Sequence, residues 1–214
     1  MRDIQKYGFK VTIIGDGGVG KTSLIKKFTE GTFKTNYVKT IGAQFFKYRK
    51  KVKGAKIRLL FWDIAGQDDF LFLRPSFYKE SNAGILVYSL EETNLGERSF
   101  ENIQKWHDDI KKFCGDIPIV LLANKVDLID DHNLNLSEIE AVVNDQNFLG
   151  YYITSAKTGK GVVRAFNAII ELLYEKHKDL NVPIPKEKRK KKEKAKKEKD
   201  IKVKKVKEKV IKVK

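Results

Sequence analysis

Six short apolar runs punctuate the chain, and most of the gaps between them carry helical spacing. Phe9–Ile14 is the first run and stops at Gly15. Lys21–Thr29 predicts a helix. Ala43–Lys50 and Lys56–Trp62 predict two strands joined by a turn at Lys53-Gly54. Gly84–Ser89 predicts a fourth strand. Ser99–Phe113 predicts one helix, with Phe100, Ile103, Trp106 or His107, and Ile110 along one side. Ile117–Ala123 is almost purely apolar, as a strand buried on both faces should be. Ser137–Asp145 predicts a helix capped by Ser137. Tyr151–Thr154 predicts the sixth strand, and Gly161–Lys178 a last helix with Val163, Phe166, Ile170 and Leu173 on its apolar stripe. Strands alternating with helices predict an α/β fold: a six-stranded, mostly parallel sheet with helices on both faces. Ligands of such folds sit at the carboxyl ends of the strands.

Composition changes this picture mainly at the C-terminus. Residues 186–214 hold 17 Lys/Arg against 5 Asp/Glu, so most of the formal charge of +16 lies there. The expected organisation is a domain over residues 1–180, a Pro-containing linker over 181–185 and a Lys-rich tail over 186–214, disordered or weakly helical. The one cysteine, Cys114, suits a reducing compartment. No signal peptide, transmembrane run or lipidation cysteine is read, so a cytoplasmic protein is expected, with peripheral placement on a membrane left open.

The first strand runs into Gly15-Asp16-Gly17-Gly18-Val19-Gly20-Lys21-Thr22, with Ser23 next, which matches the P-loop pattern G-x-x-x-x-G-K-[ST] in its required strand–helix setting. The glycines let successive N–H groups face phosphate oxygens, and the helix N-terminus adds positive potential. Lys21 should reach the β- and γ-phosphates, and the Thr22 hydroxyl should ligate Mg²⁺. Base choice falls to two later segments. In Asn124-Lys125-Val126-Asp127, the Asp127 carboxylate can accept two hydrogen bonds from guanine, which adenine cannot donate, and the Lys125 stem can cover the base. In Thr154-Ser155-Ala156-Lys157, the Ala156 N–H is expected to donate to the guanine O6.

Thr40-Ile41-Gly42 and Asp63-Ile64-Ala65-Gly66-Gln67 complete five motifs in one order, and with them the sequence resembles a Ras-superfamily small GTPase. Tyr37–Phe45 and Phe61–Gln67 are similar to the switch segments of the Rab branch, whereas Leu73-Arg74-Pro75-Ser76-Phe77-Tyr78 looks more like the Rho branch. The resemblance implies a P-loop G domain that hydrolyses GTP slowly. It implies that Thr40 ligates Mg²⁺ and touches the γ-phosphate, that Asp63 holds Mg²⁺ through water, and that the Gly66 N–H bonds the γ-phosphate. Gln67 would orient the attacking water, Phe33 would pack against guanine and Tyr37 would cover the phosphates. Phe45, Trp62 and Tyr78 match an effector-facing aromatic triad. Exchange factors, activating proteins and effectors at the switch segments are the implied partners.

No arginine lies between Gly31 and Gly42, so no arginine finger is expected in cis. In the tail, Val203, Val206, Val210 and Val213 share a helical face among lysines, which favours an anionic membrane surface over nucleic acid. A nucleic-acid-associated GTPase and a GTP-binding scaffold without useful hydrolysis stand as alternatives. Gln67 and Gly17 argue against the scaffold.

Overall fold

The computed structural model describes residues 4–34, 40–66, 74–130 and 134–179. The strands are β1 (Lys6–Ile14), β2 (Ala43–Val52), β3 (Ala55–Ile64), β4 (Ala83–Ser89), β5 (Ile119–Asn124) and β6 (Tyr151–Ile153). They form one sheet in the order β2-β3-β1-β4-β5-β6. Every pairing is parallel except β2 with β3. That hairpin turns at Lys53-Gly54, where both residues have positive φ (46° and 85°), the conformation a tight hairpin of matching twist needs.

The helices are α1 (Lys21–Glu30), α2 (Arg74–Tyr78), α3 (Asn94–Glu101), α4 (Ile103–Cys114), α5 (Leu136–Asp145) and α6 (Val162–His177). Two cores result. On one face Leu24 and Ile25 of α1 and Phe166, Ile169, Ile170 and Leu173 of α6 pack on Val11, Ile57 and Phe61. On the other, Tyr78 of α2, Trp106 and Ile110 of α4 and Ile139 of α5 pack on Leu86, Tyr88 and Leu121. β4 and β5 are buried along their whole length, which explains their unbroken apolar sequence.

Four sequence-based expectations need correction. The helix expected over Ser99–Phe113 is two helices that meet at Asn102, and the first starts earlier, where the Thr93 hydroxyl accepts from the Leu95 N–H. The cap of α5 is Asn135, not Ser137: Asn135 Oδ1 accepts from the Glu138 N–H at 3.2 Å. On α6, Val163 is 59% exposed and Val162 is buried instead, because the helix enters from a left-handed Gly161 and its buried stripe starts one residue sooner. Tyr78 is fully buried, which bears on the effector surface below. Residues 180–214, and with them the expected linker and tail, lie outside the described residues.

Candidate functional site

Five segments meet at the carboxyl edge of the sheet: the turn after β1, Thr40 just ahead of β2, and the ends of β3, β5 and β6. Antiparallel β2 brings its N-terminus to the edge where its parallel neighbours end, so Thr40 joins them. Together they enclose a cleft of about 660 Å³, within the range of small-molecule sites. Gly17, Gly18, Gly20, Lys21, Thr22, Ser23, Phe33, Thr40, Gly66, Asn124, Lys125, Asp127, Ala156 and Lys157 line it, all expected from sequence. Lys26, Thr32, Lys34 and Leu128 also line it and were not singled out, although each neighbours an expected residue or sits one helical turn from Thr22. Gly15, Asp16, Val19, Asp63 and Ser155 do not line it. Tyr37 and Gln67 lie outside the described residues.

The turn after β1 is held very close to its surroundings. A Cβ on Gly66 would lie 2.4 Å from Asp16 C and Gly17 N and 2.5 Å from Gly15 O, so the end of β3 abuts this turn through backbone alone. Lys21 Nζ curls back over the turn and donates to the carbonyls of Gly15 and Asp16, both at 2.7 Å. Burial lowers its pKa to about 8, against the opposing charges of Asp63 and Asp16.

At the same end Thr22 Oγ1 stands 3.1 Å from Thr40 Oγ1 and donates to Asp63 Oδ2. The other Asp63 oxygen, Oδ1, is buried with no hydrogen-bond partner. Burial pushes the Asp63 pKa up, although the Thr22 hydrogen bond and the Lys21 charge oppose the rise. A buried carboxylate oxygen without a donor is costly. With two hydroxyls beside it, it forms an all-oxygen set of the kind a hard divalent cation takes, so these residues fit the Mg²⁺ that the sequence implies.

The far end holds Asp127. Its Oδ1 accepts from Ser155 Oγ at 2.5 Å, and Lys157 Nζ lies 3.8 Å from its Oδ2. Ser155 therefore orients the carboxylate from behind rather than facing the cleft. Asn124 ties three segments together: Nδ2 donates to Val19 O at 2.8 Å, and Oδ1 accepts from Thr154 Oγ1 at 3.3 Å and from the Ala156 N–H at 3.2 Å. The Ala156 N–H expected at a guanine O6 donates to Asn124 in this structure. Lys125, at φ 70°, sends its ammonium to Glu91 Oε2 at 3.0 Å, which leaves its stem along the cleft wall.

Asp16 departs from expectation. Its carboxylate turns away from the cleft and accepts from Trp106 Nε1 (2.7 Å) and Asn102 Nδ2 (2.8 Å). The aromatic triad also shifts by one residue. Phe45 is 59% exposed and lies 6.0 Å from the half-buried Trp62, whose other neighbour is Phe77 at 5.4 Å. Tyr78 points inward and donates to Asp109 Oδ2 at 2.8 Å. The aromatic row at the surface is the exposed Phe45 with the partly buried Trp62 and Phe77. In the five-residue α2 successive side chains point about 100° apart, and the sequence alone does not fix which one turns inward.

The chain is similar to known proteins over most of its length. The Ras family sequence model matches residues 10–175. The chain is 34% identical to Ras-related protein Rab-21 of Bos taurus over 172 residues, covering 80% of this chain and 75% of that protein. It is 36% identical to Ras-related protein Rab-1 of Theileria annulata, covering 79% and 76%, and 36% identical to Ras-related protein Rab-26 of Bos taurus, covering 82% and 67%. Among the described residues no helix is long and apolar enough to cross a membrane.

Proposed function

This chain belongs to the Ras family of small GTPases, and from that premise we propose which of its residues carry the switch. It binds GTP and GDP with Mg²⁺, hydrolyses GTP to GDP and phosphate, and is a switch of the trafficking type.

The backbone N–H groups of Gly17–Thr22 and the Lys21 ammonium grip the β- and γ-phosphates, whose negative charge favours the protonated Lys21 that burial alone disfavours. Thr22 and Thr40, with Asp63 through water, would hold Mg²⁺, which would supply positive charge against the phosphate oxygens. The Gly66 N–H bonds the γ-phosphate, and Gln67 orients the attacking water. Asp127 selects guanine while Phe33, Lys125 and Lys157 flank the base. One observation carries this reading: Asp63 Oδ1 stands buried and unpaired behind Thr22 and Thr40, whose side chains line the same cleft as Asp127.

Asp127→Asn tests it. The amide offers guanine one acceptor and one mismatched donor, so affinity should pass from GTP toward XTP in competition binding. Tight ATP binding by the unchanged protein would sink the guanine assignment.

Effectors, exchange factors and activating proteins are partners of the family in general. We assign the effector surface to Phe45, Trp62 and Phe77, a contiguous aromatic row in which Phe45 is exposed and the other two are partly buried. We also infer that residues 186–214 hold the protein reversibly to anionic membrane surfaces, on the strength of their charge.

A further inference from the structure

The outward face of β2, β3 and β1 is a field of positive charge. The antiparallel register sets Arg49 opposite Arg58 and Lys51 opposite Lys56. The parallel register sets Lys6 beside Lys56. These five are exposed, while their alternates Ile57, Leu59, Tyr7 and Phe9 are buried against the α1 and α6 side. Lys47 and Lys10 flank Leu60 one step further along the same face. No carboxylate stands at any of these register positions, and Glu80 sits beside Lys10 at the rim. Like charges directly opposite on a sheet cost stability. Residues 47–58 carry seven Lys/Arg and no Asp/Glu, and strand pairing gathers Lys47, Arg49, Lys51, Lys56 and Arg58 of these onto one face.

The field is continuous with the aromatic row. Phe45 and Trp62 are the next register pair on this face, and Lys10 Nζ lies 4.8 Å from the Trp62 ring centre. We propose that this face docks an acidic segment of a protein partner, whose apolar residues seat on Phe45, Trp62 and Phe77 and whose carboxylates lie along Arg49, Lys51, Lys56 and Arg58. The proposal rests on the effector surface assigned above and gives its partner a chemistry. Sheet geometry roots the cationic side chains about 5 Å apart across strands and about 7 Å apart along them, within reach of carboxylates one helical turn apart. Nucleic acid fits less well. Trp62 is packed between Lys10, Phe45 and Phe77, and no ring stands among the cations for a base to stack on. A bilayer also fits less well, because apolar side chains gather at one end of the face and not among its charges.

The test uses the full chain loaded with a non-hydrolysable GTP analogue, and a neutralised variant with Arg49→Gln, Lys51→Gln, Lys56→Gln and Arg58→Gln. The probe is a labelled oligoglutamate peptide carrying two leucines. Both proteins keep the basic tail, so their difference isolates the face. The variant should bind nucleotide normally, melt no lower than the parent, and bind the peptide roughly tenfold more weakly at low salt. Carbodiimide coupling should join peptide glutamates to Lys47, Lys51 and Lys56 in the parent. Equal affinities, or coupling confined to lysines beyond residue 186, would overturn the proposal. If Phe45→Ala still weakened binding in that case, the aromatic effector surface would stand without the acidic partner. A larger loss toward an RNA oligonucleotide or phosphatidylserine vesicles than toward the peptide would overturn the choice of partner.

Discussion

The Trp106 indole serves the phosphate loop and the second switch at once. Its Nε1 donates to Asp16 at 2.7 Å, and the Arg74 guanidinium lies 4.0 Å from its ring centre. Arg74 is the first described residue after the segment that holds Gln67, and its Nη1 reaches Asp109 Oδ2 at 3.3 Å, where Tyr78 also donates. One ring thus joins the turn after β1 to the helix after the second switch, through its edge to the first and its face to the second.

Trp106→Phe should keep most of the ring stacking under Arg74 and remove the donor to Asp16. A lost hydrogen bond to a charged, largely buried acceptor costs about 1.5–3 kcal/mol. Thermal unfolding should show that loss, and release of a fluorescent GDP should quicken severalfold because the phosphate loop is less firmly seated. Unchanged release would mean that the loop holds its shape without the indole.

Gly66→Ala should damage turnover more than binding. The added methyl meets backbone on both sides of the Asp16–Gly17 peptide, and backbone cannot rotate away as a side chain can. The end of β3 must shift, and Gln67 with it. A displacement near 1 Å costs on the order of 100-fold in rate. Single-turnover phosphate release set beside GDP affinity separates the two effects. A variant that hydrolyses GTP at the parent rate would show that the contact is not needed for alignment.

Gln67→Leu should nearly stop hydrolysis and leave nucleotide affinity intact. With no arginine between Gly31 and Gly42, the unchanged protein should turn over slowly, on the order of 10⁻⁴ to 10⁻³ s⁻¹, until a partner supplies an arginine. Equal rates for parent and variant would remove Gln67 from the mechanism.

Membrane association through the tail should be electrostatic. Each Lys or Arg near an anionic surface contributes about 1 kcal/mol, and the Debye length falls to about 3 Å at 1 M salt. Co-sedimentation with anionic vesicles should therefore be strong at low salt and lost at high salt, with none on neutral vesicles. Salt-insensitive binding would locate the membrane contact elsewhere.

The sequence by itself determined the loops whose chemistry is carried by a short contiguous motif. A P-loop is eight successive residues after a strand, so Gly15–Thr22 declared both the turn and its chemistry. The Asn124–Asp127 and Thr154–Lys157 segments were equally legible, because each follows directly on a strand and needs only its neighbours to be placed. Fourteen residues expected from sequence line one cleft for this reason. Tertiary structure alone decided matters set by pairing between distant segments. Asp16 was assigned to the nucleotide because its backbone belongs to the loop, yet its carboxylate is claimed by Trp106, 90 residues away. Phe77 rather than Tyr78 completes the aromatic row, because the packing of a five-residue helix on α4 sets its rotation. The basic face exists only once β2, β3 and β1 take their register, since a slip of one residue would send every one of those cations to the other side of the sheet.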